Sequence, residues 1–154
     1  MLAAIIAAAL AFTVITNTIP SVKIYFFKDG KLAYVKRPIE KNAEPLSVAF
    51  TGLLKGPTQK EIRSGYFSEI PKNTKITEII KNGTLIELTF SKELANYGGG
   101  SARVLGLVTQ IVYTFTEIKG INKVKINIED KDEVVLGGEG LVIDKPLGRE
   151  DFKN

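Results

Sequence analysis

The chain is 154 residues long, the length of one domain, and 44% of its residues are hydrophobic and 25% charged. It contains neither cysteine nor histidine, which excludes disulfides, thiolate or imidazole metal sites, and Ser-His-Asp or Cys-His catalysis. The net charge is +4, but residues 1–128 carry 17 basic and 9 acidic side chains, whereas residues 129–154 carry 4 and 8. This division favours an acidic partner, an anionic lipid surface or self-association, or else it is a solvated surface of mixed sign.

The first twenty residues differ from the rest of the chain because they carry no charged side chain. Their apolar run, residues 2–15, is intermediate between the core of a signal peptide and a membrane-spanning helix. Pro20 and the lysine-rich sequence after it favour an export or anchor segment, with a buried core helix as the alternative. We therefore expect a signal or membrane-anchor segment over residues 1–20 and a folded domain over residues 21–154.

Two β-hairpins are predicted from their turns. Each of two glycine-containing pairs is flanked by strand-forming residues: Asp29-Gly30 by residues 22–28 and 32–37, and Asn82-Gly83 by residues 74–80 and 84–90. Both pairs are typical of type I′ turns, because both central positions of that turn need positive φ.

Two amphipathic helices are predicted between and after these hairpins. The first covers residues 45–55, begins after a cap at Asn42 or Glu44, and ends at Gly56-Pro57, because proline cannot continue a helix. The second begins at Ser101 and ends at Gly120, with apolar side chains at helical spacing. Between the first helix and the second hairpin we expect a loop with one short helical turn.

The remaining elements complete the predicted fold. Residues 122–130 alternate between apolar and polar side chains, which indicates a strand buried on one face, and residues 140–146 add a short edge strand. The order of elements predicts an α+β fold in which two helices cover one face of a mostly antiparallel sheet.

The glycines before the second helix raise the question of a phosphate site. Gly98, Gly99 and Gly100 lead into Ser101, but the Lys-Ser/Thr pair of a P-loop is missing, and Arg103 stands where a dinucleotide loop needs its third glycine. We therefore expect Ser101 to cap the helix, with an anion site at its N-terminus as the alternative.

Other groups with chemical potential have simpler explanations. Residues 129–133 are acidic but lack the ligand order of a calcium loop, which favours a solvated turn. The aromatic side chains between Tyr25 and Tyr34 fit core packing better than stacking on nucleic acid. A pair of carboxylates for hydrolysis stays a third hypothesis, since such pairs meet only in the fold. No catalytic, metal-binding or cofactor-binding residue is predicted.

Five segments together resemble the sporulation and spore-germination domain family, the GerMN-type domain, in a single copy. They are "VKIYFFKDGKL", "LLKGPT", "IELTFSKEL", "QIVYTFTEIKGINKVKINI" and "GLVIDKPLGREDF". The resemblance spans about residues 21–152 and implies a domain related to ring-building-motif folds, with no catalytic centre and no cofactor. Its motif positions, which we expect to be structural, are Tyr25, Phe26, Gly56, Pro57, Thr58, Tyr113 and Thr114.

The resemblance also implies a place and a role. It implies an extracytoplasmic domain of a bacterial cell envelope, anchored in the membrane or exported, that takes part in sporulation or spore germination by assembling with partner proteins. An accessory binding module of a cell-wall hydrolase is the alternative.

The acidic C-terminal region either supports weak head-to-tail self-association or packs on its own domain through Leu141, Ile143 and Phe152.

Overall fold

The computed structural model describes residues 19–96, 100–137 and 140–152. The predicted signal or anchor segment therefore lies outside the described residues, apart from Ile19 and Pro20. In chain order the elements are β1 (Ser21–Lys28), β2 (Lys31–Pro38), α1 (Pro45–Lys55), α2 (Gln59–Arg63), β3 (Tyr66–Phe67), β4 (Ile76–Asn82), β5 (Leu85–Phe90), α3 (Ser101–Phe115), β6 (Lys123–Ile128), β7 (Val134–Leu136) and β8 (Leu141–Ile143). Among the helices of these ranges, none combines the length and the apolar character needed to cross a bilayer.

The first sheet is built on the predicted hairpin, in the order β2-β1-β3. Asp29 and Gly30 have φ values of 50° and 73°, as a type I′ turn requires, and β1 and β2 pair antiparallel over their full length. The two-residue strand β3 pairs with the end of β1, where Phe67 lies opposite Phe27. The sequence analysis missed β3, because two residues are too few to show a strand pattern.

The second sheet has the order β4-β5-β6, with β4 antiparallel and β6 parallel to β5. Helix α3 makes the long crossover that a parallel connection needs. The predicted type I′ turn at Asn82-Gly83 is wrong by one position. Asn82 is still paired with Leu85, and the loop residues are Gly83 and Thr84. Of these only Gly83 has positive φ, 60°, as in a type II′ turn, whose first central position suits glycine.

One hydrophobic core joins both sheets to the two long helices, since α1 and α3 each pack on β1 and on one another. This arrangement confirms the predicted α+β class. The strands contribute alternate side chains, and the helices contribute one face each. The largest fully buried side chains are Ile24, Phe26, Leu53, Ile86, Leu88, Phe90, Leu94, Leu107, Ile111, Phe115, Ile126 and Leu136.

The ends of α3 differ from the predicted ones. Gly100, not Ser101, is the N-cap, and Ser101 is already helical, so no side chain caps this helix. The helix ends at Phe115 rather than Gly120, and Glu117 then donates its N–H to the carbonyl of Thr114 in a tighter turn. The earlier end directs the Glu117 side chain toward β1. Gly98 and Gly99 lie outside the described residues.

A third, two-stranded sheet follows the acidic residues 129–133. Strand β8 was expected as an edge strand, and its antiparallel partner β7 was missed. Residues 131–133 are exposed and Asp130 has a φ of 56°, so this stretch forms the expected solvated turn.

Candidate interaction surfaces

The structure places the seven predicted motif residues in three separate locations. Phe26 lies in the core, and Gly56, Pro57 and Thr58 form the turn after α1. Tyr25, Tyr113 and Thr114 lie where β1 and α3 meet the C-terminal segment, residues 145–152. The sequence motif is therefore not one site, and each group has to be considered separately.

The third group attaches α3 to the edge of β1. The backbone N–H of Tyr25 points away from β2 and donates to the hydroxyl of Thr114 at 3.0 Å, and Thr114 is fully buried. The ring of Tyr25 also meets the ring of Tyr113 edge-on, with 5.4 Å between centroids. A buried strand edge needs such a partner for its backbone groups, and the Thr114 hydroxyl supplies one here.

Glu117, which the sequence analysis did not single out, is the centre of this cluster. Its carboxylate accepts hydrogen bonds from Lys23 Nζ at 2.8 Å, Arg149 Nη2 at 2.8 Å and the Tyr25 hydroxyl at 3.1 Å. Partial burial alone would raise the pKa of Glu117, but the three hydrogen bonds outweigh it and hold the pKa below its ordinary value. Burial raises the pKa of Tyr25.

Arg149 connects the C-terminal segment to the same cluster. Its Nε donates to the Thr116 hydroxyl at 2.8 Å, and Nη2 donates to the Tyr113 carbonyl at 3.0 Å as well as to Glu117. The guanidinium lies 4.9 Å from the ring centre of Tyr113 and 5.4 Å from that of Tyr25. In the sequence, Arg149 was noticeable only because it lies within GLVIDKPLGREDF, the last segment that resembles the family.

The rest of the C-terminal segment packs on its own domain. Leu147 forms an antiparallel bridge to Val124, with both N–H···O distances 2.8 Å. Phe152 packs against the core, 6.3 Å from the ring of Tyr113. Lys123 forms ion pairs with Glu150 and Asp151. The acidic side chains of this segment are thus engaged within the molecule.

The turn after α1 depends on the backbone of Gly56. Its φ of 73° and ψ of −171° fall in a region open essentially to glycine alone, although a methyl group there would meet no atom within 4 Å. Thr58 then caps α2 in a capping box: its hydroxyl accepts from Glu61 N at 3.3 Å, and Glu61 Oε2 accepts from Thr58 N at 2.7 Å.

Glu61 also joins this turn to strand β2. Arg37 donates to both of its carboxylate oxygens, at 2.6 and 2.7 Å, in a bidentate pair. The hydrogen bond from Arg37 is the main reason that the pKa of Glu61 falls to about 2. The LLKGPT stretch therefore fixes the end of α1 against the first sheet.

Two clefts flank this turn. One, of about 400 Å³, is lined in part by the polar side chains of Arg37, Ser47, Thr51 and Lys55, with Glu40 as its single carboxylate. The other, of about 320 Å³, is mainly apolar and has no acidic lining residue. Neither cleft contains the paired carboxylates that the hydrolase hypothesis requires. Throughout the three described ranges, no group of three or more acidic side chains is arranged to hold a metal ion.

The family model described as "Germane: Sporulation and spore germination" matches residues 23–134, most of the described domain. The chain belongs to the Germane family. Over 129 residues it is 27% identical to the spore germination protein GerM of Bacillus subtilis (strain 168). That alignment covers 82% of this chain and 34% of GerM, so the chain spans about a third of its relative.

Solved Germane structures share the fold. The first GerMN domain of the sporulation protein GerM from Bacillus subtilis superposes with a TM-score of 0.67 at 23% identity, over 86% of this chain and 99% of that domain. The tandem GerMN domains of the same protein give a TM-score of 0.63 at 18% identity, over 84% of this chain and 45% of theirs. The family resemblance and the α+β fold read from the sequence are therefore confirmed, and the chain is a sporulation- and germination-associated domain of the GerM type.

Proposed function

We propose that this Germane domain is a non-enzymatic, extracytoplasmic part of the cell envelope that acts in sporulation or spore germination by assembling with partner proteins. The family match over nearly the whole folded domain carries this proposal. A binding role is also consistent with the two clefts beside Gly56, which offer open surface without a pair of reactive carboxylates.

The location outside the cytoplasm rests on the N-terminal sequence. Residues 1–20 are uncharged and largely apolar, whereas the sequence that follows is rich in lysine. This contrast in composition supports a role for the segment as a signal or anchor. We accordingly propose a folded domain over residues 21–154 that is attached to, or released from, the outer side of the membrane.

Protease accessibility in intact protoplasts tests this location. An epitope at the C-terminus should be digested without lysis, and the protein should partition with the membrane or the medium. A resident cytoplasmic protein serves as the control for lysis, because it should stay undigested as long as the protoplasts are intact. A tagged chain that is protected and fractionates with the cytoplasm would refute the proposed location.

Crosslinking in sporulating cells tests the role. We expect the domain to be recovered with other envelope or sporulation-complex proteins, and a deletion strain to show a defect in spore formation or germination. Recovery with a cell-wall hydrolase alone would instead support the accessory module.

A further inference from the structure

We propose that this chain associates head to tail with a second copy of itself, through two oppositely charged hairpins. The basic hairpin is β1 with β2, residues 21–38, and the acidic hairpin is β7 with β8 and the described residues beside them, residues 129–137 and 140–144. This inference deepens the proposed function, on which it rests for its biological setting, because it names one pair of surfaces by which the domain assembles.

The two hairpins have complementary charges. Residues 21–38 contain five basic side chains and one acidic side chain, a net charge of +4. Residues 129–137 and 140–144 contain one basic and five acidic side chains, a net charge of −4. Opposite potentials on two surfaces of one molecule attract the surfaces of neighbouring copies, because each copy presents both.

On the basic hairpin the exposed charges lie along a free strand edge. Tyr25 donates its N–H to Thr114, away from β2, so in an antiparallel ladder its partner Tyr34 points its backbone groups outward. The same alternation applies to Leu32 and Lys36. Within the part of the chain that the structure describes, no other strand or backbone group bonds these positions.

The two exposed lysines of β2 are not paired with a carboxylate in the described ranges. Arg37 and Lys23 are engaged by Glu61 and Glu117, but in the described ranges Lys31 and Lys36 form no ion pair. The side chain of Tyr34 between them is 45% exposed. Lysines on an edge strand discourage pairing with a similar basic edge, and they favour an acidic one.

The acidic hairpin combines unpaired carboxylates with an apolar surface. Val135 and Val142 are directly opposite one another and are 40% and 46% exposed. Leu141 lies on the opposite face of β8, next to the core, and lines a cleft of about 150 Å³ together with Val142 and with Leu105 of α3. These four are among the nine large hydrophobic side chains exposed in the described part of the chain. Such a concentration marks a contact surface rather than scattered exposure.

The acidic hairpin, and not the extreme C-terminus, supplies the free negative charge. Glu150 and Asp151 are already paired with Lys123. Asp132, Glu133 and Asp144 form no ion pair within the described residues. We therefore assign the self-association expected from the charge division of the sequence to the acidic hairpin rather than to the C-terminal tail.

Association of two different surfaces is heterologous, so the contact is asymmetric. Tyr34 and Leu32 meet the valine pair, and the lysines meet the acidic residues on either side. Both surfaces are small, so the contact is weak and loses strength as salt screens charges beyond about 10 Å at 0.1 M.

Thiol crosslinking of the full chain in a nonionic detergent tests the contact, because the chain has no cysteine of its own. Tyr34→Cys and Val142→Cys preserve every charge, and cysteine is itself a small apolar residue. With a short bismaleimide, a mixture of the two variants should crosslink about tenfold more than either variant alone, because only a heterologous contact brings the two positions together. The control is Ile80→Cys mixed with Val142→Cys, since Ile80 lies on β4 and is 48% exposed.

Charge reversal on the same background adds a second readout. The double substitution Lys31→Glu and Lys36→Glu, made in both the Tyr34→Cys and the Val142→Cys chain, should abolish the crosslinked product. The double substitution Asp132→Lys and Glu133→Lys, made in both chains, should do the same. Mixing a Tyr34→Cys chain that carries the two lysine reversals with a Val142→Cys chain that carries the two acidic reversals should restore the crosslinked product. In that mixture each reversed surface meets a reversed partner. Circular dichroism of each variant checks that its fold is retained.

Equal crosslinking in all mixtures, including the Ile80 control, would show association through the apolar N-terminus and would refute the proposal. Crosslinking of Tyr34→Cys with itself, or no crosslinking at all, would also refute it. A failure here leaves the proposed function standing, because location and partners in the cell are measured separately.

Discussion

At the residue scale, the Glu117 carboxylate accepts three hydrogen bonds, from Lys23, Arg149 and Tyr25. Replacing it with glutamine keeps an acceptor oxygen but removes the charge shared by Lys23 and Arg149. We expect Glu117→Gln to lower the free energy of unfolding by about 1–3 kcal/mol, since hydrogen bonds to charged groups are the strong ones. Urea denaturation measures this change.

The matched control for Glu117 is Glu133→Gln, which removes an exposed carboxylate without an ion pair in the described residues. It should change stability by less than about 0.5 kcal/mol. Equal effects from the two substitutions would mean that the cluster does not fasten the C-terminal segment.

Glu61 should make stability depend on pH. Its pKa is about 2 in the folded protein, against an ordinary value of 4.5. The folded state therefore gains stability from this carboxylate above about pH 4.5, and loses it as the pH falls toward 2. We expect a shallower loss of stability between about pH 5 and 3 in Glu61→Gln than in the native chain.

Urea unfolding at several pH values tests the role of Glu61. Glu40→Gln is the control, because Glu40 lines the cleft that also contains Arg37 but forms no ion pair in the described part of the chain. If Glu61→Gln and Glu40→Gln give the same pH dependence, the Arg37–Glu61 pair is not formed in solution.

At the scale of elements, the turn after α1 depends on one backbone conformation. Gly56→Ala adds a methyl group in open space, so its whole cost comes from the glycine-only φ and ψ. We expect a loss of about 1–3 kcal/mol in unfolding free energy. Gly100→Ala is the matched control, because Gly100 also has open space but a φ of −72°.

Thermal denaturation of both glycine variants separates backbone strain from side-chain contacts. Gly100→Ala should cost only the difference between glycine and alanine as the N-cap of α3, so it should unfold closer to the native temperature than Gly56→Ala, which should unfold several degrees lower. If the two variants unfold at the same temperature, the Gly56 conformation contributes nothing to stability.

At the scale of the whole molecule, the C-terminal segment is part of the fold. Deleting residues 145–154 removes the bridge of Leu147, the packing of Phe152 and the hydrogen bonds of Arg149. We expect the free energy of unfolding to fall by more than about 2 kcal/mol, because Val124 and Glu117 also lose their partners. An unchanged urea midpoint would show that the segment merely rests on the surface.

Local patterns accounted for much of this fold. The Asp29-Gly30 hairpin and the bounds of α1 follow from φ preferences and apolar spacing, which neighbouring residues set by themselves. The turn at Asn82-Gly83 shows the limit of such reasoning. The local signal was correct about a hairpin, but the pairing of β4 with β5 decided which two residues form the loop.

Only the tertiary structure decided which residues far apart in the sequence are in contact. Glu117 meets Tyr25 across 92 positions of the chain and Arg149 across 32, and neither distance leaves a periodic trace in the sequence. The sequence alone determined the family, the α+β class and the separation of positive from negative charge, because composition and local pattern carry them. Where that charge remains unpaired depends on folding, which neutralises Glu150 and Asp151 with Lys123 and leaves Asp132, Glu133 and Asp144 exposed.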